Sequence, residues 1–159
     1  MNINDIILEQ LKSAEEDKYK IFSLNGIITY AKILSNYDGD TADCLLVHND
    51  NLMRFKVRLY GYDSPEMKPS LNIKDRDEIK KKAIEAKKRL WNLCTGLDNF
   101  TEKNHKKIIK IVCEDFDKYG RLLITAYDTD EDKLEFNNSI NKKMIDEGHG
   151  YAYYGGTKN

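Results

Sequence analysis

The sequence predicts an α+β protein in which strands predominate. Five stretches are rich in β-branched or aromatic residues, or alternate between apolar and polar residues, as strands do. Three other stretches repeat their apolar residues with the period of a helix. The expected order along the chain is helix, three strands, helix, two strands, helix.

Each predicted helix has one apolar side and a recognisable end. The N-terminal helix has Ile6, Ile7, Leu8 and Leu11 on one side and ends in a charged segment. The second extends from Asp75 to Cys94 and stops before Gly96, a residue type that commonly terminates helices; its apolar face comprises Ile79, Ala83, Ala86, Leu90, Leu93 and Cys94. The third extends from Ser139 to Glu147.

The five predicted strands are separated by turn signals. The first covers residues 21–36, and the Asp38-Gly39 turn leads to a second strand, "TADCLLVH", and a third, "LMRFKVRLYGY". After the second helix, "KKIIKIVCED" and "RLLITAYDTD" are joined by "FDKYG". A five-stranded meander interrupted by a helix is compatible with an OB-like, partly open barrel. The chain shows no repeat and no long linker, so we expect a single domain over residues 1–159.

Charge and cysteine content exclude several classes of protein. Lys+Arg 26 against Asp+Glu 27 gives a net charge of -1, so any attraction to nucleic acid must be local. Cys44, Cys94 and Cys113 are odd in number and include no CxxC pair, which argues against a disulfide framework and a zinc site. We expect three reduced, buried thiols.

The N-terminus predicts neither export nor membrane insertion. It carries acidic residues where a signal peptide would be positively charged, and its apolar run is too short for a membrane span. The expectation is therefore a cytoplasmic protein with no membrane partner.

The segment "RLYGYDSPEM", Arg58 to Met67, ends a predicted strand with two carboxylates in a rigid turn. Pro65 prevents a helical continuation and favours an extended Ser64. Two carboxylates close together repel each other unless solvent, a cation or a metal neutralises them. Taken alone, the segment is best interpreted as a solvated turn capped by Asp63.

Two further motifs supply what a site at this turn would need. "YDGDTAD" places Asp38 and Asp40 around a turn glycine, and "DKYGR" places Lys118, Tyr119 and Arg121 in a second turn. Each has a plain structural explanation as a hairpin turn. Asp40 and Asp63, from the ends of neighbouring strands, could however provide two of the oxygen ligands that Ca²⁺ prefers.

In combination, the three motifs resemble the staphylococcal nuclease (thermonuclease) family. They occur in the family's order, a basic amphipathic helix precedes the last, and the resemblance extends from about Tyr30 to about Tyr154. It implies a five-stranded OB-fold barrel with three packed helices, to which this chain adds an N-terminal helical extension, residues 1–18; a Gly/Tyr tail occupies residues 150–159. It also implies Ca²⁺-dependent hydrolysis of phosphodiester bonds in DNA and RNA, preferentially single-stranded or frayed, leaving 3′-phosphate ends, by a monomer.

The resemblance also assigns roles to individual residues. Asp40, Asp63 and the carbonyl of Ser64 are expected to bind Ca²⁺, and Glu66 to orient or deprotonate the attacking water. Arg58 and Arg121 are expected to grip the scissile phosphate. The substrate-binding residues are expected to be Lys118, Tyr119 and Tyr153.

Physical chemistry supports this division of roles, although two alternatives remain. Attack on a phosphodiester develops negative charge that two guanidiniums and a divalent cation can stabilise. The main alternative is a catalytically inactive OB-type module that binds nucleic acid or protein, but such a module has no need of all five of Asp40, Arg58, Asp63, Glu66 and Arg121. An interaction domain organised by the N-terminal helix is also open; that helix lies outside the resemblance and could cover the barrel or mediate an interface.

Overall fold

A closed barrel of five strands forms the centre of the protein. The computed structural model describes residues 2–154, in which the chain forms the strands β1 Ile28–Asn36, β2 Thr41–His48, β3 Asn51–Leu59, β4 Gly61–Asp63, β5 Ile109–Phe116, β6 Leu122–Asp128 and β7 Tyr151–Tyr153. The barrel order is β1-β2-β3-β6-β5, and β5 closes onto β1. The short strands β4 and β7 pair with each other outside the barrel.

One parallel pairing distinguishes the barrel from a simple meander. All neighbouring barrel strands are antiparallel except β3 and β6, which run in the same direction with Arg58 opposite Leu123. The end of β3 therefore lies beside the start of β6. This register brings the segment after Leu59 close to the turn that precedes Leu122.

Two of the three helices in residues 2–154 pack against the barrel. These are α2, Arg76–Thr95, and α3, Ile140–Asp146, whereas α1, Ile3–Ser13, buries none of its residues. The side chain of Ser139 caps α3 by accepting a hydrogen bond from the Lys142 N–H. Both packed helices lie within a residue or so of their predicted bounds.

The predicted fold class is confirmed at the level of a mainly β, α+β protein with a five-stranded barrel. The order of three helices and five barrel strands expected from the sequence pattern is the observed one. The resemblance implied three packed helices in addition to an N-terminal one, but in residues 2–154 the N-terminal helix is itself the third. Part of the predicted Gly/Tyr tail after α3 forms β7.

The hydrophobic core occupies the interior of the barrel and the interface between the barrel and α2. Its largest fully buried side chains include Trp91, Tyr62, Leu24, Ile33, Leu59 and Leu90. Cys44, Cys94 and Cys113 are free and buried, as predicted. Burial raises the pKa of Cys44 and Cys94 to about 12 and that of Cys113 to about 11, so all three are inert thiols.

Both ends of the described chain depart from expectation. The first strand begins at Ile28 and not at Ile21, because Gly26 has φ +86° and donates its N–H to the carbonyl of Cys113, which ends the β ladder. At the other end, residues 151–153 of the predicted tail form a strand, and residues 155–159 lie outside the described part. Across residues 2–154, no helix combines the length and apolar character needed to cross a bilayer.

Candidate functional site

Asp38, Gly39 and Asp40 form the tight turn between β1 and β2. The carboxylate of Asp38 accepts hydrogen bonds from the backbone N–H groups of Asp40, at 3.0 Å, and Thr41, at 2.8 Å. Such bonds from an Asp side chain to the following backbone stabilise turns. The carbonyl of Asp40 also accepts the N–H of Leu59 at 2.8 Å, so the turn is fixed to the end of β3.

Gly39 is enclosed by the elements around it. A Cβ atom at this position would lie 2.7 Å from the Cβ of Ala86 and 2.8 Å from the Cβ of Ser64, closer than packed carbons allow. The carbonyl of Gly39 accepts a 2.6 Å hydrogen bond from the buried hydroxyl of Tyr62. The "YDGDT" and "RLYGYDSPE" segments are therefore tied together at this glycine.

Asp40 and Asp63 are both buried, at 6% and 2% exposure. One carboxylate oxygen of Asp40 accepts the hydroxyl of Thr41 at 2.9 Å, and the other accepts the backbone N–H of Ser64 at 2.9 Å. Asp40 from the start of β2 thus reaches the segment that follows β4. The structure brings these two predicted metal ligands together.

A single guanidinium lies between the two carboxylates. Nη2 of Arg58 contacts the carboxylate of Asp63 and lies 3.5 Å from Oδ2 of Asp40. Nη1 donates to the carbonyls of Leu59 and Tyr62, both at 3.1 Å. The guanidinium offsets the repulsion between two buried negative charges, which would otherwise be costly.

The donor atoms of this cluster suit a hard divalent cation. Asp40, Asp63 and Ser64 offer oxygens only, and the Ser64 hydroxyl is buried with no hydrogen-bond partner among residues 2–154. Within that range, the structure contains no group of three or more His, Cys, Asp or Glu side chains that could hold a metal ion. A cation here would therefore combine two carboxylates with hydroxyl or backbone oxygens and water, a mixture that Ca²⁺ accepts.

A third carboxylate lies close to this pair. Burial and the neighbouring charge of Asp40 raise the pKa of Asp38 to about 6. Both effects disfavour the charged form of Asp38 in the folded protein. One oxygen of Asp38, Oδ1, accepts both of the hydrogen bonds within the turn.

Glu66 lies three residues beyond Asp63 in the chain and faces solvent. Its carboxylate makes no hydrogen bond or ion pair with any residue of the 2–154 range. An exposed carboxylate without such a partner can contact water directly. This placement leaves the predicted role of Glu66 open to test.

Arg58 and Arg121, the two predicted phosphate ligands, line one pocket. Its volume is about 210 Å³, and its walls also include Lys118, Tyr119 and Tyr153. The parallel register of β3 and β6 explains the convergence, because Arg58 is the second-last residue of β3 and Arg121 directly precedes β6. All of the substrate-binding residues predicted from the sequence thus meet both arginines in a single cleft.

Asp117 orients Arg121 within this pocket. Its carboxylate accepts the Nε–H of Arg121 at 2.7 Å and the backbone N–H groups of Tyr119 and Arg121, both at 2.9 Å. Burial disfavours the charged form of Asp117, but these hydrogen bonds outweigh burial and lower its pKa. Arg121 makes this contact through Nε, and its terminal nitrogens make no hydrogen bond within residues 2–154.

The aromatic residues of the pocket are partly accessible. Tyr119 is 70% exposed, and both Lys118 Nζ and Arg121 Cζ lie 5.2 Å from the centre of its ring. Tyr153 belongs to β7 and pairs with Gly61 of β4. The pocket therefore combines cationic groups with aromatic faces, two features that proteins use to bind single-stranded nucleic acid.

Several residues that shape the site were not assigned a role from the sequence. They are Tyr60 and Leu123 on the pocket wall, Tyr62 beneath Gly39, and Asp117 beside Arg121. Tyr60 could have been found, because it lies two residues after Arg58 and so on the same face of an extended chain. No sequence pattern indicates the hydrogen bonds that Tyr62 and Asp117 make.

Comparisons with known proteins give no identification. No protein-family model matches the chain, and a search of curated proteins returns no match.

Proposed function

We propose that the chain is a Ca²⁺-dependent nuclease that hydrolyses phosphodiester bonds of DNA and RNA on an OB-type barrel, as its resemblance to the staphylococcal nuclease family implies. The observation that carries this proposal is the position of Arg58. Its guanidinium contacts the buried pair Asp40 and Asp63 and also lines the pocket that contains Arg121. A cation site and a phosphate site would thus share one residue.

Arg58 and Arg121 would bind the scissile phosphate. Guanidiniums suit this task because a planar fork can hold two phosphate oxygens at once. Arg58 would give up its contact with Asp40 and Asp63 when these hold a cation, and would turn its Nη2 towards phosphate. Arg121 needs no such change, because Asp117 engages it through Nε and leaves its terminal nitrogens available.

Glu66 would accept a proton from the attacking water. Its exposed carboxylate has no competing partner in residues 2–154, and general-base help of this kind contributes roughly 10²- to 10⁴-fold. Ca²⁺ held by Asp40, Asp63 and an oxygen of Ser64 would supply a fixed positive charge at the developing negative charge of the transition state. The arginines would add to that stabilisation.

The pocket favours a flexible, single-stranded substrate. Exposed Tyr119 and the partly exposed Tyr153 offer stacking faces for bases, while Lys118 adds positive charge for the backbone. Neither contact distinguishes ribose from deoxyribose, which agrees with activity on both nucleic acids. The net charge of -1 makes this local cluster the main source of attraction to phosphate.

The test is digestion of single-stranded DNA, duplex DNA and RNA by the purified chain with Ca²⁺, with Mg²⁺ and with a chelator. We expect cleavage with Ca²⁺ that the chelator abolishes and that both Glu66→Gln and Arg121→Ala reduce strongly. Exposed Glu85, on α2, offers a matched control as Glu85→Gln.

If the intact chain with Ca²⁺ cleaves no faster than with chelator and no faster than Glu66→Gln, the nuclease assignment is overturned. Retained binding of single-stranded nucleic acid in that case would favour the inactive OB-type module instead. If Arg121→Ala then loses this binding, the pocket lined by Arg58 and Arg121 is the site that binds nucleic acid.

A further inference from the structure

We propose that two copies of this chain associate by exchanging their N-terminal helices, with α1 of each copy docked on the outer face of the other copy's barrel. The inference is independent of the proposed nuclease activity. It differs from the monomer expected by resemblance, and it starts from two apolar surfaces that the described chain leaves uncovered.

The first surface is the apolar side of α1. Ile3 and Leu11 are 70% and 71% exposed, and Ile6, Ile7 and Leu8 are about half exposed, so α1 buries none of its residues. Helices shorter than roughly 12–15 residues are only marginally stable alone in water, and α1 has 11 residues. A lasting helix of this length needs a partner for its apolar side.

The second surface is a groove on the outside of the barrel, here called the outer groove. It has a volume of about 580 Å³ and is lined by Tyr30, Lys32, Leu45, Val47, Leu52 and Ile108. Val47 and Leu52 are paired across β2 and β3 and are 56% and 67% exposed. A patch of exposed apolar side chains on adjacent strands is typical of an interaction site.

The second half of strand β2 is apolar on both of its faces. Its inward residues Ala42, Cys44 and Leu46 are buried in the core, and its outward residues change from polar, Thr41 and Asp43, to apolar, Leu45 and Val47. A strand with one face in water normally alternates apolar with polar residues, and apolar residues on both faces indicate cover on both sides. Among residues 2–154, no helix covers the outer groove.

The chemistry of α1 matches the outer groove better than it matches a membrane. Helices that bind membrane surfaces are rich in Lys and Arg, whereas α1 has Asp5 and Glu9 against Lys12. Residues 2–18 carry five acidic and two basic side chains. Lys32 lines the groove and Lys106 precedes Ile108 nearby, and neither forms an ion pair within the described range.

The connection to the barrel favours exchange between copies. Phe22 contacts the rings of His48 and Phe116, and Leu24 is buried, so the chain is fixed to its own barrel from Phe22 onwards. Residues 14–21 then form an exposed arm, and α1 at its end buries none of its residues. Reciprocal exchange of such an arm gives a closed, two-fold dimer and requires only one kind of contact.

The test is the mass of the full chain in solution, measured by sedimentation equilibrium over a range of concentrations. We expect the wild type to reach twice the mass of one chain. Ile7→Glu on α1 and Leu52→Glu in the outer groove should each raise the dissociation constant by about ten- to a hundredfold. Lys12→Gln changes the charge equally on the opposite side of α1 and should leave the mass unchanged.

A mixture of the two variants distinguishes exchange from docking of α1 on its own barrel. Ile7→Glu keeps an intact groove and Leu52→Glu keeps an intact helix, so the mixture should regain dimers that neither variant forms alone at the same concentration. Both positions are exposed in the single chain, and thermal unfolding can verify that the barrel of each variant is intact. A wild type that keeps the mass of one chain at every concentration, or a mixture without recovered dimers, would overturn the proposal.

Discussion

The guanidinium of Arg58 contacts the carboxylate of Asp63, and the same nitrogen lies 3.5 Å from Asp40. The side chain of Arg58 is 14% exposed and that of Asp63 only 3%. Removal of one partner from a buried ion pair is expensive because the other charge is left without compensation. The free energy of unfolding should therefore depend on Arg58 as much as the proposed activity does.

Arg58→Ala should lower the free energy of unfolding by about 3–5 kcal/mol in the absence of divalent cations. Ca²⁺ should restore part of this loss, because a cation between Asp40 and Asp63 would replace the missing guanidinium. Urea unfolding with and without Ca²⁺ measures both effects. Arg54→Ala is the control: Arg54 pairs with Asp43 at the surface, is 61% exposed, and should cost at most about 1 kcal/mol.

Glu66→Gln should reduce the rate of Ca²⁺-dependent cleavage by roughly 10²- to 10⁴-fold, as expected for loss of a general base. The unfolding free energy should change by less than about 0.5 kcal/mol, because the side chain is exposed and has no partner in the described residues. Single-turnover cleavage and urea unfolding of the same preparation separate the effect on the cleavage rate from the effect on stability. A loss of stability that accounts for the loss of rate would contradict the assigned role.

Arg121→Ala should reduce kcat by about 10²-fold or more, since it removes a fixed donor from a developing negative charge. Lys118→Ala should mainly raise KM, because the exposed ammonium touches only the ring of Tyr119. Initial rates over a range of oligonucleotide concentrations distinguish the two patterns. If both variants change only KM, Arg121 binds substrate without contributing to the chemical step.

Asp38→Asn should make the protein less sensitive to pH between about 4 and 6. The folded-state pKa of Asp38, about 6, is higher than its ordinary value of 3.8, so the folded state binds more protons than the unfolded state between these values. This carboxylate therefore favours folding at low pH and opposes it as pH rises through about 6. Asparagine keeps the oxygen that accepts the turn hydrogen bonds but carries no charge.

The measurement for Asp38→Asn is the urea midpoint of both proteins at pH 4.5 and pH 7. The variant should be more stable than the wild type at pH 7. The difference in stability should be smaller at pH 4.5. Added Ca²⁺ should shrink the difference at pH 7, because a bound cation stabilises the charged form of Asp38. A constant difference at both pH values would show that the group titrates normally.

Local patterns in the sequence predicted most of the elements. The apolar face from Ala83 to Cys94 and the stop at Gly96 gave α2, and Ser139 began α3, because helix periodicity and capping depend on near neighbours. The pairing of β4 with β7 was not predictable in this way. It joins Gly61 to Tyr153 across most of the chain, and three-residue strands have too little periodicity to be recognised.

The candidate site was predictable as a set of residues but not as a set of contacts. Asp40, Asp63, Arg58 and Arg121 stand in recognisable motifs, and the structure places them in one region. The sequence did not reveal that Arg58 bridges both carboxylates or that Asp117 holds Arg121, because these contacts depend on side-chain packing after the barrel has closed. The roles of all of these residues remain predictions.

The parallel register of β3 and β6 has a consequence for the order in which the site can assemble. Asp40, Arg58 and Asp63 are supplied by the β2 and β3 hairpin and the segment just after it, contacts that close over short loops. Arg121 joins them only when β6 aligns with β3, at a separation of more than 60 residues. Because long loops close late and slowly, the acidic half of the site should mature during refolding before the phosphate half. On the proposed function, affinity for Ca²⁺ should therefore return during refolding before affinity for nucleic acid.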